Sequence, residues 1–258
     1  MRKLSGAEAR DLRLAKLQGL VESNGAVPLK TAAELLLVST MTLRRDLAAP
    51  GAPLACLGGY VVGSWPTGGA KYTLDAERDQ HAPNKLLACR RAAALVKDGD
   101  SLFIDCGTTM PHFAEALPPG ISLDVVCYSL NIAMILSRRP NTQLMVLGGL
   151  YHPSSATFFS DEALHYLKRL GVDKAFISAG GVHPVRGASC SNFNEVPIKQ
   201  AAMESASESI LVVDESKLGR LRPAFFSPLG AFSRIVVGGA PKPQRGEQFK
   251  RVKLDIST

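Results

Sequence analysis

Two groups of residues have the types and spacing to do chemistry. The first is Ser39, Thr40, Met41, Thr42, Arg44 and Arg45 in LLLVSTMTLRRDL, residues 35 to 47. A helix that reads DNA needs side chains in its first turns that reach base edges and phosphates in the major groove. Arginine suits that task because its planar donors grip guanine or a phosphate in pairs. The competing reading is a helical hairpin whose arginines are solvated or pair with acids such as Asp46. The hairpin pattern at LGGYVV, directly downstream, favours the DNA reader.

The second group lies along the remaining three quarters of the chain. FIDCGTTM puts Asp105, Gly107, Thr108 and Thr109 between an apolar run and the helical pattern PHFAEAL. A glycine that permits close approach, next to free helix N–H groups, makes a phosphate cradle. Asp105 would then hold a sugar hydroxyl. An ordinary capped turn accounts for the same residues. Lys217 in DESKLG follows the run SILVVD and could meet that phosphate from the carboxyl edge of a sheet, or be a plain surface lysine. Ser129 and Asn131 in VCYSLN, and Gly148 with Gly149, sit at further strand ends as a ligand rim would. Glu195 and Lys199 are spaced as an i,i+4 helical pair. His81, His112, His152, His165 and His183 show no metal-ligand spacing, so neither a metal nor a cofactor is expected.

The elements that must position these groups follow from periodicity. Leu14, Leu17, Leu20 and Val21 give a helix over Ala7 to Ser23, with Asn24-Gly25 as its stop. A second helix is expected from about Lys30 to Leu36. A third starts after Ser39, whose hydroxyl caps it, and runs through Leu43 and Leu47. LACLGGYVV reads as a β-hairpin turning at Gly58-Gly59. Three helices and a hairpin make a winged helix-turn-helix, placed at residues 1–63. The Pro-, Gly- and charge-rich stretch 64–84 reads as a linker. Beyond it, the runs at 101–105, 123–128, 143–149, 174–181, 209–214 and 234–239 alternate with helical stretches. That alternation predicts an α/β domain over 85–258, with a mostly parallel sheet covered on both faces.

Bulk properties fit a soluble globular protein: 258 residues, 46% hydrophobic and 21% charged. No leader-like apolar segment or membrane-length run is evident, and five scattered cysteines read as reduced thiols. A cytoplasmic protein with no membrane partner is expected. The net charge is +7; residues 1 to 64 carry eight Lys/Arg against five acids, a basic segment suited to a polyanion. Arg2, Lys3 and Arg10 would add salt-sensitive phosphate contacts.

VSTMTLRRDL resembles the V-S-x-M-T-I-R-R-D-L signature of the DeoR family of bacterial transcription repressors. LGGYVV, FIDCGTTM, VCYSLN, LGGLYH, SAGGVH, NEVPIK and VVDESKLG have counterparts in the same order, so the likeness runs from about Ala9 to Ser233. The resemblance implies a sensor domain similar to the ribose-5-phosphate isomerase and CoA-transferase type of fold. There Asp214, Glu195 and Lys199 would line a sugar pocket. It also implies a repressor of deoxynucleoside catabolism genes, released from operator DNA by a phosphorylated deoxyribose and acting as a homo-oligomer. One departure stands out: Leu37 occupies the place of the usual turn glycine, where positive φ costs a leucine roughly 1 kcal/mol or more. Either the turn carries that strain or it is built differently. A sugar-phosphate isomerase or transferase with an accessory helical domain is the alternative, but it leaves the first sixty or so residues idle.

Overall fold

The computed structural model describes residues 6–24, 27–57, 59–63, 81–153, 155–241, 246, 248–250, 252 and 254–257. The expected phosphate contacts of Arg2 and Lys3, the stop at Gly25, the turn residue Gly58 and most of the linker (64–80) lie outside those residues. The chain forms two compact units, one reaching to Lys71 and the other taking in most of the chain from Tyr72.

In the first unit, α1 (Gly6–Asn24) turns Leu14, Leu17 and Val21 into a small core. Helix α2 (Leu29–Leu35) adds Leu29, Ala32 and Ala33, and α3 (Thr40–Leu47) adds Leu43 and Leu47. The hairpin is β2 (Leu54–Leu57) and β3 (Tyr60–Gly63), with Leu57 opposite Tyr60. A two-residue strand not expected from the sequence, β1 (Val27–Pro28), pairs antiparallel with β3 and completes a three-stranded wing sheet. Pro28 then caps α2, a position where no backbone N–H is required.

The second unit opens with α4 (Ala82–Ala93), which corrects the linker boundary: residues 82–84 are helical. Pro83 reads as a break in the sequence, yet proline is at home in a first helical turn. The six runs identified in the sequence appear as β4 (Ser101–Ile104), β5 (Leu123–Cys127), β6 (Thr142–Val146), β9 (Val172–Ile177), β12 (Ala206–Asp214) and β14 (Arg234–Gly238). They join one parallel sheet in the order β14-β12-β9-β4-β5-β6, and β15 (Leu254–Ser257) extends it beyond β14. Two antiparallel additions were not legible: β7 (Leu150–His152) with β8 (Thr157–Phe159), and β10 (Gly181–His183), β11 (Gly187–Cys190) and β13 (Ala224–Ser227).

Side chains alternate across the parallel sheet, as the strand period requires. Leu102, Ile104, Val125, Cys127, Phe176, Ile210, Val212 and Val236 share one core with α4, α5 (Met110–Ala116) and α6 (Leu130–Leu136). On β12 and β9, α8 (Glu195–Ser205) packs beside α7 (Asp161–Leu167) and against β13. Helices thus cover the sheet, and the polar loops at the carboxyl ends of its strands are left to converge. The architecture is α/β with an N-terminal helix-turn-helix unit.

Candidate functional site

In the first unit the helix-turn-helix is assembled as its residue types dictate. The Ser39 hydroxyl accepts the backbone N–H of Thr42 at 3.1 Å, satisfying one of the free donors at the start of α3. Leu37 adopts φ 54° and is 93% exposed. Around it the N–H of Val38 donates to the Ala33 carbonyl and that of Leu37 to the Glu34 carbonyl, at 3.0 and 3.1 Å. These two bonds close the left-handed helix terminus that glycine ordinarily supplies. The turn is therefore not rebuilt; leucine adopts the glycine conformation.

Leu43, Asp46 and Leu47 form the buried side of α3, while Ser39, Thr40, Met41, Arg44 and Arg45 are exposed and Thr42 is half-buried. The alternative pairing of the arginines with Asp46 does not occur: Arg13 of α1 holds Asp46 instead, at 2.7 and 2.8 Å. Among the described residues neither Arg44 nor Arg45 has an ion-pair partner. The result is a short helix that turns two unengaged guanidinium groups and two hydroxyls outward, which is chemistry for phosphate and base edges.

In the second unit, the turn after β4 and the ends of β9 and β12 meet. Asp105 is fully buried, and both its oxygens are occupied. Tyr128 Oη donates to one at 2.8 Å. The other accepts the Ser178 N–H at 2.7 Å, lies 2.9 Å from the Ser178 hydroxyl, and pairs with Lys199 Nζ. The one lone pair left on the carboxylate is fully buried, out of reach of a sugar hydroxyl. Asp105 therefore orients Lys199 and the turn; the direct ligand contact expected of it is not available. Lys199 and Glu195 are not the surface pair their spacing allows: both are buried, 3.6 Å apart. Burial alone would lower the Lys199 pKa, but Asp105, with Glu195 behind it, holds the ammonium well above the ordinary lysine value. Burial likewise pushes the Tyr128 hydroxyl and the Cys106 thiol up.

Gly107, Thr108, Thr109, Glu195, Lys199 and Lys217 line one small cavity of about 40 Å³, joined by Ser178, Ala179, Gly180, Cys190 and Ser191. Gly107 has φ 95°, and a Cβ there would sit 3.1 Å from the Ser178 hydroxyl. The backbone N–H groups of Gly107, Thr108 and Thr109 find no acceptor among the described residues. Lys217 reaches the same cavity from the single 3-10 turn Glu215–Lys217 after β12. Asp214 does not line it; one of its oxygens accepts the Ser216 N–H at 3.0 Å and so fixes the turn that carries Lys217. Lys217 and three backbone donors thus share one opening with Glu195 and with Lys199, which the two carboxylates already hold.

The other expected rim residues lie elsewhere. Asn131 lines a neighbouring cavity of about 310 Å³ between α5 and α6, which shares Thr108 and includes His112 and Arg138. Ser129 is buried at the start of α6 and bridges to Thr157. Gly149 is a packing glycine: a Cβ there would meet the Phe159 carbonyl oxygen at 2.2 Å. Gly148 accepts the Ser160 hydroxyl at 3.3 Å. Tyr128 and Ser178 were missed, although each is a polar residue at the end of an apolar strand. Of the histidines, His81 comes within 4.8 Å of Asp214 and Glu215, a proximity invisible across 133 residues; Asn84 already donates to that glutamate at 3.1 Å. A cavity of about 540 Å³ at the amino ends of β14 and β15 is walled partly by Arg91, Arg234 and Asp255, where both guanidinium groups pair with the one carboxylate.

A winged helix-turn-helix unit and a parallel-sheet unit in one chain are the parts of a DNA-binding regulator. Residues 13–60 match the DeoR-like helix-turn-helix domain, and residues 80–239 match the DeoR C terminal sensor domain. The chain belongs to the DeoR family of transcriptional regulators. It is 38% identical over 247 residues to the deoxyribose operon repressor of Escherichia coli (strain K12), covering 95% of this chain and 98% of that one. It is 30% identical over 244 residues to the lactose phosphotransferase system repressor of Lactococcus lactis subsp. lactis, covering 93% and 95%. Among solved structures it is similar to ribose 5 phosphate isomerase A from Neisseria gonorrhoeae, with a TM-score of 0.37, 18% identity and 52% of each chain covered. No helix of the described residues is long and apolar enough to cross a membrane.

Proposed function

We propose that this regulator represses genes of deoxyribose or deoxynucleoside breakdown and leaves its operator when a sugar phosphate, deoxyribose 5-phosphate, enters the cavity at Gly107–Thr109. The observation that carries the reading is the meeting of Lys217 with the unoccupied N–H groups of that turn. A phosphate ester would be held by those donors, while Thr108, Thr109 and Glu195 offer partners to sugar hydroxyls. The name of the Escherichia coli relative supports the class of sugar.

The cavity of about 40 Å³ has room for little more than water. In this reading, a sugar phosphate binds a form in which the Lys217 turn or α8 stands further out. That difference in affinity between two forms is what lets a ligand shift the DNA-binding equilibrium. The relatives carry regulator names, and Asp105, Glu195 and Lys199 are engaged with one another, which supports sensing over catalysis. Repressors of this architecture bind paired half-sites, so we take the working form to be a cytoplasmic homo-oligomer on operator DNA.

The test is a calorimetric titration of the full-length protein bound to a DNA duplex selected by the protein itself. Deoxyribose 5-phosphate is expected to give heat and release the duplex, and inorganic phosphate to compete weakly. No heat and no release with deoxyribose 5-phosphate would reject this effector. Turnover of ribose 5-phosphate or deoxyribose 5-phosphate by the purified protein would favour the enzyme instead.

A further inference from the structure

Helix α3 has eight residues and only two buried leucines, Leu43 and Leu47. Two leucines give a short helix a narrow packed face, so few apolar contacts define its rotation and its position along its axis. The third buried side chain of α3 is Asp46, 8% exposed and one residue beyond Arg45. Arg13 of α1, 33 positions away, brings both Nε and a terminal nitrogen to the same Asp46 oxygen, at 2.8 and 2.7 Å. Two donors converging on one acceptor specify an angle as well as a distance.

We propose that Arg13 is a positioning residue for DNA recognition, acting through Asp46 to set the rotation of α3 and hence the aim of Arg44 and Arg45. The geometry gives the scale. A group about 6 Å from a helix axis moves about 2 Å when the helix turns by 20°, more than a paired contact to a base edge tolerates. The pair also neutralises a carboxylate that would otherwise stand beside the DNA phosphates. A contact that fixes rotation is needed for sequence selection and is irrelevant to sequence-independent attraction, which depends on net charge.

The experiment compares full-length variants on two probes: the duplex of roughly 30 base pairs that the wild-type protein selects from a random library, long enough for two half-sites, and the unselected library. Arg13→Met/Asp46→Leu replaces the pair with apolar side chains, a change that commonly preserves stability. This double variant is expected to melt near the wild type, to bind the unselected library as before, and to lose about tenfold or more on the selected duplex. A purely structural pair predicts full recovery on the selected duplex, and that result overturns the proposal. Should the double variant fail to fold, Asp46→Asn keeps the volume and one acceptor while weakening the grip. It is expected to lose affinity for the selected duplex and to gain slightly on the library, because a negative charge is gone. Equal losses on both probes, or none on either, would likewise overturn it.

Discussion

The backbone N–H of Val38 donates to the Ala33 carbonyl at 3.0 Å, closing α2 across a leucine held at φ 54°. Both bonds that satisfy the helix end require that left-handed residue, and Leu37 reaches it only against the clash of its own Cβ. Its side chain is 93% exposed and so contributes little packing in return.

Leu37→Gly is therefore expected to stabilise the N-terminal unit. Relief of about 1–2 kcal/mol of backbone strain is offset by roughly 0.5–1 kcal/mol of added chain entropy in the unfolded state, leaving a net gain of about 0.5–1 kcal/mol. Urea unfolding followed by circular dichroism reads the difference. A loss of stability would show that the leucine is supported by contacts not seen around it here.

Arg44→Ala and Arg45→Ala are each expected to abolish or strongly weaken binding to selected DNA without moving the melting temperature, since both side chains are exposed. A bidentate base contact contributes about 1–3 kcal/mol, or roughly one to two decades in affinity. A phosphate contact instead reduces the salt dependence by about one ion for all sequences. Footprints and salt titrations with both variants distinguish the two roles. Unchanged footprints in both would remove α3 from the DNA.

The helix-turn-helix and the six parallel strands were legible because each rests on local pattern: a capping serine before spaced leucines, or a continuous apolar run. Helix α4 was not, because its buried face is Lys85, Ala88, Cys89, Ala92 and Ala93, mostly small residues with little periodic signal. Their size answers to a distant neighbour: a Cβ at Gly238 would come within 1.8 Å of the Asn84 carbonyl oxygen, so helix and strand approach at backbone distance. The site divides the same way. Gly107, Thr108, Thr109 and Lys217 could be picked out at strand ends, and they do meet. The burial of Glu195 and Lys199, and the engagement of Asp105 by Tyr128 and Ser178, depend on pairings 23 to 94 positions apart that no local spacing encodes.

The cysteines give a chemical check on the packing. Burial pushes the Cys89 and Cys106 thiols far up and that of Cys127 to about 12, so almost no thiolate, the reactive form, exists at pH 8. Cys190 is buried as well, whereas Cys56 in β2 is half-buried. Native protein is expected to titrate about one thiol with a disulfide reagent, and all five after denaturation. Rapid reaction of several thiols in the native state would mean that the sheet core is looser than described.

Lys199 carries the last prediction, because its pair with Asp105 is fully buried beneath the cavity. Lys199→Met keeps the bulk and removes the charge, leaving a buried carboxylate without its cation, at a cost of roughly 3–5 kcal/mol near neutral pH. The pH dependence has a definite sign. In the wild type the Lys199 pKa is raised above its ordinary value near 10.5. Its contribution is thus fully present below that value and is lost only as alkali carries the pH through the higher folded pKa. Between pH 6 and 9 this pair gives the wild type no slope. In the variant, the buried Asp105 carboxylate keeps only its bonds to Tyr128 and Ser178. The variant should fall below the wild type by a similar margin from pH 6 to 9, and that margin should close only as alkali deprotonates the wild-type lysine. Urea midpoints measured across that range in both proteins decide the matter. Equal midpoints in the two proteins would mean that Tyr128 and Ser178 hold the Asp105 carboxylate unaided.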